Sequence, residues 1–473
     1  MDGAERPVAS RAALLASQAP LVALVAWCVA RSPWNSDEGF YAVAARLVTE
    51  GEVPYRDFGF SQGPGYPLLM ALPLRLAGGG FVAQRALSAL VVVCAVAVAS
   101  RALWAASRRV GASLAVLVVA SSSAALAASA LGKTYALAGL ALAVAGSVYV
   151  ASPSPSTRAL SLFAAASSIA VATRISLLPA VAVLAVGLLL ALPRERRLRF
   201  ALGLSLAVVA PYAVAFVVAP EPAAFWLWEY HHGSHLDLRD ARTVTEFVRF
   251  APLVWVVSLF AMLRPVGEVA QRLRVVGVAT LVGVAAQMLF STTYAEYAAP
   301  FVPLGALCVG ALPDRRRVTL AFAGLCALVG LLGFLGLPSS RADTTELRAA
   351  ASFVRAHTRP GDLVLASPAS VLGDAQRRPL PDTEMSPFCV ADTTDASRAR
   401  RLHLVTTTSL AEAIRAGRPR AVVLYRQARM ANFQFMVPSL DLAGTRGDEI
   451  ERAFTSRYQI AWASARLLVL LPR

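Results

Sequence analysis

The sequence predicts an α-helical polytopic membrane protein, with about eleven transmembrane helices and a small C-terminal α/β extracytoplasmic domain. Three observations carry that prediction. The 473 residues are 57% hydrophobic and only 16% charged, with a mean hydropathy of +0.58; a soluble chain sits near a quarter charged. Apolar stretches close to the ~20 residues needed to cross a bilayer recur from residue 12 to residue 337. The arginines behind the net charge of +16 gather in the short loops between those stretches. That placement is a topology signal and not the footprint of a nucleic-acid partner.

Taken in order, the expected spans are 12–30, 81–103, 110–130, 134–150, 159–171, 176–192, 200–219, 247–263, 275–290, 298–312 and 318–337. Ala12–Ala30 lacks a clean small-residue cleavage site and leads into an acidic loop, so it reads as a span and not as a cleaved signal. Pro67–Leu76 is apolar but short and holds Pro73 and Arg75, which fits a helix lying at the interface. Arginine clusters at 101–109, 158, 194–199, 264–274 and 315–317 mark cytoplasmic loops, whereas 31–66 and 291–297 are acidic or balanced. The N-terminus is therefore expected inside, the 31–66 loop outside and, after an odd number of spans, the tail outside the cytoplasmic membrane.

The tail changes character at about residue 338, giving an expected division into a membrane domain, 1–337, and an extracytoplasmic domain, 338–473. Thr345–His357 and Leu410–Ala416 have helical patterns, and Asp362–Ala366, Ala421–Tyr425 and Trp462–Leu471 read as strands. Strands alternating with helices suggest a small α/β fold. Cys28, Cys94, Cys308 and Cys326 lie in apolar stretches and Cys389 is alone in the tail, so no disulfide framework or zinc ligand set is legible.

The chemistry concentrates in the loop after the first span, which opens with Trp34-Asn35-Ser36-Asp37-Glu38-Gly39-Phe40-Tyr41 and ends in Ser61-Gln62-Gly63-Pro64-Gly65-Tyr66-Pro67. Acidic groups so close to a bilayer are costly unless wet, paired or functional. Asp37 is the candidate general base, and its competing role is to cap a helix over 38–49. Glu38, one position on, would not share a face with it; it could position Asp37, bind an acceptor or hold a metal. Asp57 is either functional or the partner of Arg56 in a turn. Lys133, the chain's one lysine, and Arg174 fall at outer ends of spans, where a cation could meet a phosphate or simply snorkel to the interface. Arg85 lies deeper in its span, so an acidic partner from the first loop is expected. Glu229, His231, His232 and His235, behind Trp226 and Trp228, could bind zinc or manganese. Their spacing fits no strong signature, and a wet loop with an aromatic belt accounts for them as well. Tyr294, Glu296 and Tyr297 form a short outer turn that either lines a site or belongs to such a belt.

From end to end, the run Asp37-Glu38-Gly39-Phe40-Tyr41, Gly51-Glu52-Val53-Pro54-Tyr55-Arg56-Asp57-Phe58 and Gln62-Gly63-Pro64-Gly65-Tyr66-Pro67 resembles the first outer loop of the GT-C integral-membrane glycosyltransferases. It is most similar to their bacterial branch of protein O-mannosyltransferases and aminoarabinose transferases. Arg85, Gly132-Lys133-Thr134-Tyr135, Thr173-Arg174 and Tyr294-Ala295-Glu296-Tyr297 also look like positions of that family. The resemblance implies inverting transfer of a sugar from a polyprenyl-phosphate carrier to a lipid, glycan or protein acceptor, with Asp37 as base. Many relatives place a basic residue before the loop's proline; this chain has Gln62, which makes Lys133, Arg85 and Arg174 the candidates for the carrier phosphate. The competing functions are a transporter or flippase for a lipid-linked saccharide and a non-enzymatic envelope-assembly scaffold. No internal repeat or mid-span acidic group favours transport.

Overall fold

The computed structural model describes residues 18–35, 37–231, 241–263, 267–290, 294–337, 341–386, 388–391, 395–426 and 447–473. The chain folds as two compact units. The first gathers residues up to Ser32 with Ser88–Pro211 and His235–Pro338; the second gathers Pro33–Leu87, Tyr212–Ser234 and Ser339–Arg473.

Each apolar stretch of the sequence carries helix. Among the described residues four helices are long and apolar enough to cross a membrane: Phe81–Ala105, Arg194–Val218, Glu268–Leu289 and Arg316–Leu335. The count rises to six if each of two bent pairs is one span. Five shorter apolar helices, Ala19–Arg31, Tyr135–Ala151, Thr157–Thr173, Ile175–Ala191 and Phe301–Ala311, complete the set. At 1.5 Å per residue, a 13-residue helix runs only about 20 Å against a hydrocarbon core of about 30 Å. Length therefore does not reproduce the expected eleven crossings. Arg194–Val218 and Arg316–Leu335 leave most of their apolar surface uncovered, including Leu198, Leu202 and Leu206 on one and Leu328, Leu331 and Leu335 on the other, as a lipid-facing helix would.

The two bends have local causes. Arg109–Ser121 and Ser123–Ala130 meet at 78°. There the hydroxyls of Ser121 and Ser122 both donate to the Val118 carbonyl, at 2.8 and 3.0 Å, and so compete with the helix ladder. The second bend, 88°, falls just before Pro252, which cannot continue the preceding helix. Thr157–Thr173 starts from the Ser-Pro-rich turn because Ser156 caps it, accepting the Ala159 N–H.

In the second unit, a five-stranded sheet has the order β2-β1-β3-β5-β4. Its strands are β1 Leu363–Ala366, β2 Arg378–Pro379, β3 Ala421–Tyr425, β4 Tyr458–Ala463 and β5 Leu467–Pro472. β1 pairs in parallel with β2 and β3, and β5 runs antiparallel to both β3 and β4. β1 and β3 are near-continuous apolar runs because the helices Thr407–Arg415 and Gly447–Arg457 pack beside them. Leu365, Val422, Leu424, Leu410, Ile414, Ile450 and Phe454 form one buried cluster. The helix Gly65–Leu76 is only 12 residues long and exposes Leu68, Leu72 and Leu76, as expected of an interfacial helix.

Candidate functional site

The first loop lies in the second unit. Asp37 stands at the N-cap of the Glu38–Thr49 helix, yet its side chain makes no capping hydrogen bond. The half-buried turn is instead organised by Asn35, whose side-chain oxygen accepts the Asp37 N–H at 3.0 Å. Gly39 follows because nothing larger fits. A Cβ there would lie 2.0 Å from the Ser370 nitrogen, so backbone meets backbone where the Ser370–Ala375 helix packs. Trp34 continues that contact: its indole donates to Ser370 Oγ at 3.1 Å and its ring stacks on Tyr425 at 5.2 Å. Burial, reinforced by the nearby Asp37 charge, pushes the Tyr425 phenol well above its usual range.

Glu38 is fully buried and gripped by Arg85, Nε to Oε1 at 2.8 Å and Nη2 to Oε2 at 2.6 Å. This is a bidentate fork in a dry environment. Arg85 Nη2 also donates to the Pro33 carbonyl, and its guanidinium lies 4.4 Å from the Phe81 ring centroid. Gln84 donates to the Glu38 carbonyl at 3.1 Å and sits 3.3 Å from the Tyr66 hydroxyl. Arg85 therefore has the loop partner that its depth implied, and this fork is engaged within the protein.

Asp57 is held within a turn. Arg56 Nη2 meets it at 2.7 Å, its Oδ2 accepts the Val53 N–H at 2.8 Å, and the Arg56 hydrogen bond holds its carboxyl below the usual range. Gln62 offers its backbone carbonyl to the Tyr55 hydroxyl at 2.5 Å. Glu229 pairs with Arg398 at 3.2 Å, and His231 Nε2 donates to the Ser61 carbonyl at 2.7 Å; His232 and His235 lie outside the described residues. No three His, Cys, Asp or Glu side chains are arranged to hold a metal ion among the described residues. Trp226, expected in a surface belt, is fully buried and donates to the Leu402 carbonyl at 2.7 Å. It fills the space that Gly59 leaves open.

A second cluster in the same unit joins residues 55, 382, 384 and 403, which no local sequence pattern connects. Tyr55, Asp382 and His403 all adopt positive φ, at 68°, 66° and 55°, and such strain collects where surrounding contacts enforce it. His403 Nδ1 lies 3.3 Å from Asp382 Oδ1, while Nε2 donates to the Tyr55 and Arg56 carbonyls, each at 3.1 Å. Glu384 accepts the Asp382 N–H at 3.0 Å, and burial pushes its carboxyl up to about 7. Burial is the largest influence and would depress the His403 imidazole, but the Asp382 and Glu384 carboxylates and the Tyr55 carbonyl together turn the net direction upward.

The first unit carries the other expected residues. Lys133 is 1% exposed and reaches Glu296 Oε1 at 2.8 Å; the Tyr135 hydroxyl donates to the same oxygen, also at 2.8 Å. Arg174 is buried, donates to Thr134 Oγ1 at 3.1 Å, and lies 4.5 Å from the Tyr297 ring centroid and 5.2 Å from that of Tyr135. Tyr294 packs edge-on against Tyr297 and is 60% exposed. Lys133, Arg174, Glu296 and Tyr297 thus meet in one place, with Tyr294 at its edge and with Thr134 and Tyr135, which the sequence marks as family-like positions without assigning them a site role. The adjacency of Thr134 and Tyr135 to Lys133 was the available signal.

No protein-family model matches the chain, and no curated protein matches it by sequence. Solved structures do match. ArnT from Cupriavidus metallidurans in the apo state aligns with a TM-score of 0.68 at 14% identity, over 98% of each chain. The same protein bound to undecaprenyl phosphate aligns with a TM-score of 0.64 at 13% identity, over 98% of this chain and 97% of that one. The chain has the GT-C fold. An Archaeoglobus fulgidus oligosaccharyltransferase aligns more loosely, with a TM-score of 0.47 at 11% identity over 96% of this chain and 72% of that chain. At such identities the GT-C fold is what the likeness establishes.

Proposed function

We propose that this chain is an inverting glycosyltransferase of the cytoplasmic membrane. It would move a sugar from a polyprenyl-phosphate carrier to a lipid, glycan or protein acceptor at the outer face. The GT-C fold supports the reading, as does the undecaprenyl phosphate bound by one of the ArnT structures. The arginine-rich loops support the orientation, with the N-terminus inside and the 31–66 loop outside.

Inversion needs one carboxylate to take the acceptor's proton and a cation to steady the departing phosphate. The contrast between Asp37 and its neighbours carries the assignment of the base. Glu38 is fully buried against Arg85, whereas Asp37 is part-exposed at the head of its helix. Asp37 is the base, Glu38 and Arg85 position it, and Lys133 and Arg174 are the phosphate partners.

The test is Asp37→Asn in purified protein supplied with polyprenyl-phosphate-linked sugar. Transfer should fall about 10²–10⁴-fold, with the melting temperature and carrier binding as in the parent. Transfer near the parental rate would remove Asp37 from the chemistry.

A further inference from the structure

The Lys133 cluster contains one group that neither the base nor the phosphate partners explain, the Glu296 carboxylate. A buried ammonium is costly without an anion beside it, and Lys133 is 1% exposed. Glu296 sits in the short 3₁₀ turn Ala295–Ala298, not in a long helix. Its side chain is 24% exposed, so it can turn toward water without leaving a hydrated environment. Both Lys133 Nζ and the Tyr135 hydroxyl converge on its one oxygen, Oε1. A phosphate oxygen placed there would receive the same two donors.

We propose that Glu296 is a resident counter-ion, which occupies Lys133 in the ligand-free protein and is displaced by the phosphate of the carrier. The inference rests on the assignment of Lys133 to that phosphate. It gives Glu296 a role opposite to that of a binding residue: it competes with the ligand and lowers the apparent affinity by the fraction of molecules in which it holds the lysine. The exchange makes and breaks only hydrogen bonds and ion pairs; Lys133 keeps its protons throughout. The counter-ion also keeps the site from holding an unpaired charge once the carrier has left.

The test measures binding of farnesyl phosphate, with farnesol as the uncharged control, to detergent-purified parent, Lys133→Ala, Glu296→Gln and Glu296→Asp. Thermal melting of each variant checks that it is folded. Lys133→Ala should weaken binding about 30-fold or more, the range for truncating one partner of a buried charge pair. Glu296→Gln keeps the acceptor for Tyr135 but removes the competing charge, so binding should tighten by roughly 5- to 30-fold. Glu296→Asp should tighten it less, and farnesol binding should not change in either. A Glu296→Gln variant that binds as the parent does, or more weakly, overturns the counter-ion role. If Lys133→Ala binds as the parent does, the phosphate assignment itself falls, whatever Glu296 does.

Discussion

Among the described residues, the ion pairs Glu38–Arg85 and Lys133–Glu296 are built differently. In the second unit both members of Glu38–Arg85 are inside, 0% and 1% exposed; in the first unit Lys133 is 1% exposed while Glu296 is 24% exposed. The enclosed pair joins a helix N-terminus to a long apolar helix through two parallel hydrogen bonds, and neither group can leave without stranding the other. The half-open pair joins a helix end to a 3₁₀ turn through one carboxylate oxygen. Closure on both sides makes a brace that fixes the backbone around Asp37; closure on one side makes an exchangeable contact. Burial of the partner, more than distance, separates the two.

Breaking the brace should have the largest effect. Arg85→Gln or Glu38→Gln leaves one charge buried and unpaired, so either should cost about 3–5 kcal/mol of stability. Thermal or denaturant melts of the detergent-solubilised protein would show it. The double variant should recover part of the loss, whereas two fully additive losses would mean that Glu38 and Arg85 contribute independently.

The His403 junction gives a smaller, pH-dependent effect. His403 has a raised folded pKa, so its contribution is complete below its ordinary 6.5 and is lost as pH rises through the folded value. Glu384 is held near 7 against an ordinary 4.5, so the folded state binds that proton more tightly and stability falls as pH climbs from about 4.5 to 7. Both act in the same direction. Among the described residues, Asp57, Asp382 and Cys389 are titratable groups that interact with them. Melts between pH 5 and 8 should show a decline on the order of 1–3 kcal/mol. His403→Asn, which tolerates the left-handed backbone, should flatten the upper part of that decline. A flat parental profile would count against the junction.

The smallest effect is expected at an exposed pair. Glu229 and Arg398 are 51% and 45% exposed, so Glu229→Gln should change stability by under about 1 kcal/mol and leave transfer intact. A large loss of transfer that added zinc or manganese modulates would restore the metal reading of that loop.

What could be read from the residues divides along the same line as the two ion pairs. Helix positions were legible because apolar runs are local: every expected span carries helix, and the first loop stood out by its own acidic and Gly/Pro-rich sequence. Pairings across distance were not. Lys133 and Glu296 are 163 positions apart, and no periodicity connects them. Arg85 could be given a loop partner in kind, because depth in an apolar helix demands one, but not the finding that Glu38 would be wholly enclosed. Trp226 was misplaced because a tryptophan in a polar loop looks like a belt residue until Gly59 is seen to make room for its ring. The Asp382, Glu384 and His403 junction leaves no trace in the sequence because strained backbone has no sequence period.

Among the 45 basic residues of the chain Lys133 stands alone as a lysine; the others are arginines. Its ε-amine is thus the sole side-chain target for reductive methylation with ¹³C-formaldehyde, a reaction that preserves the positive charge. Labelling while the protein is partly opened, then refolding it, would give a spectrum with one side-chain resonance beside that of the chain terminus. That resonance would report directly, without assignment experiments, on whether a carboxylate or a phosphate is the lysine's neighbour.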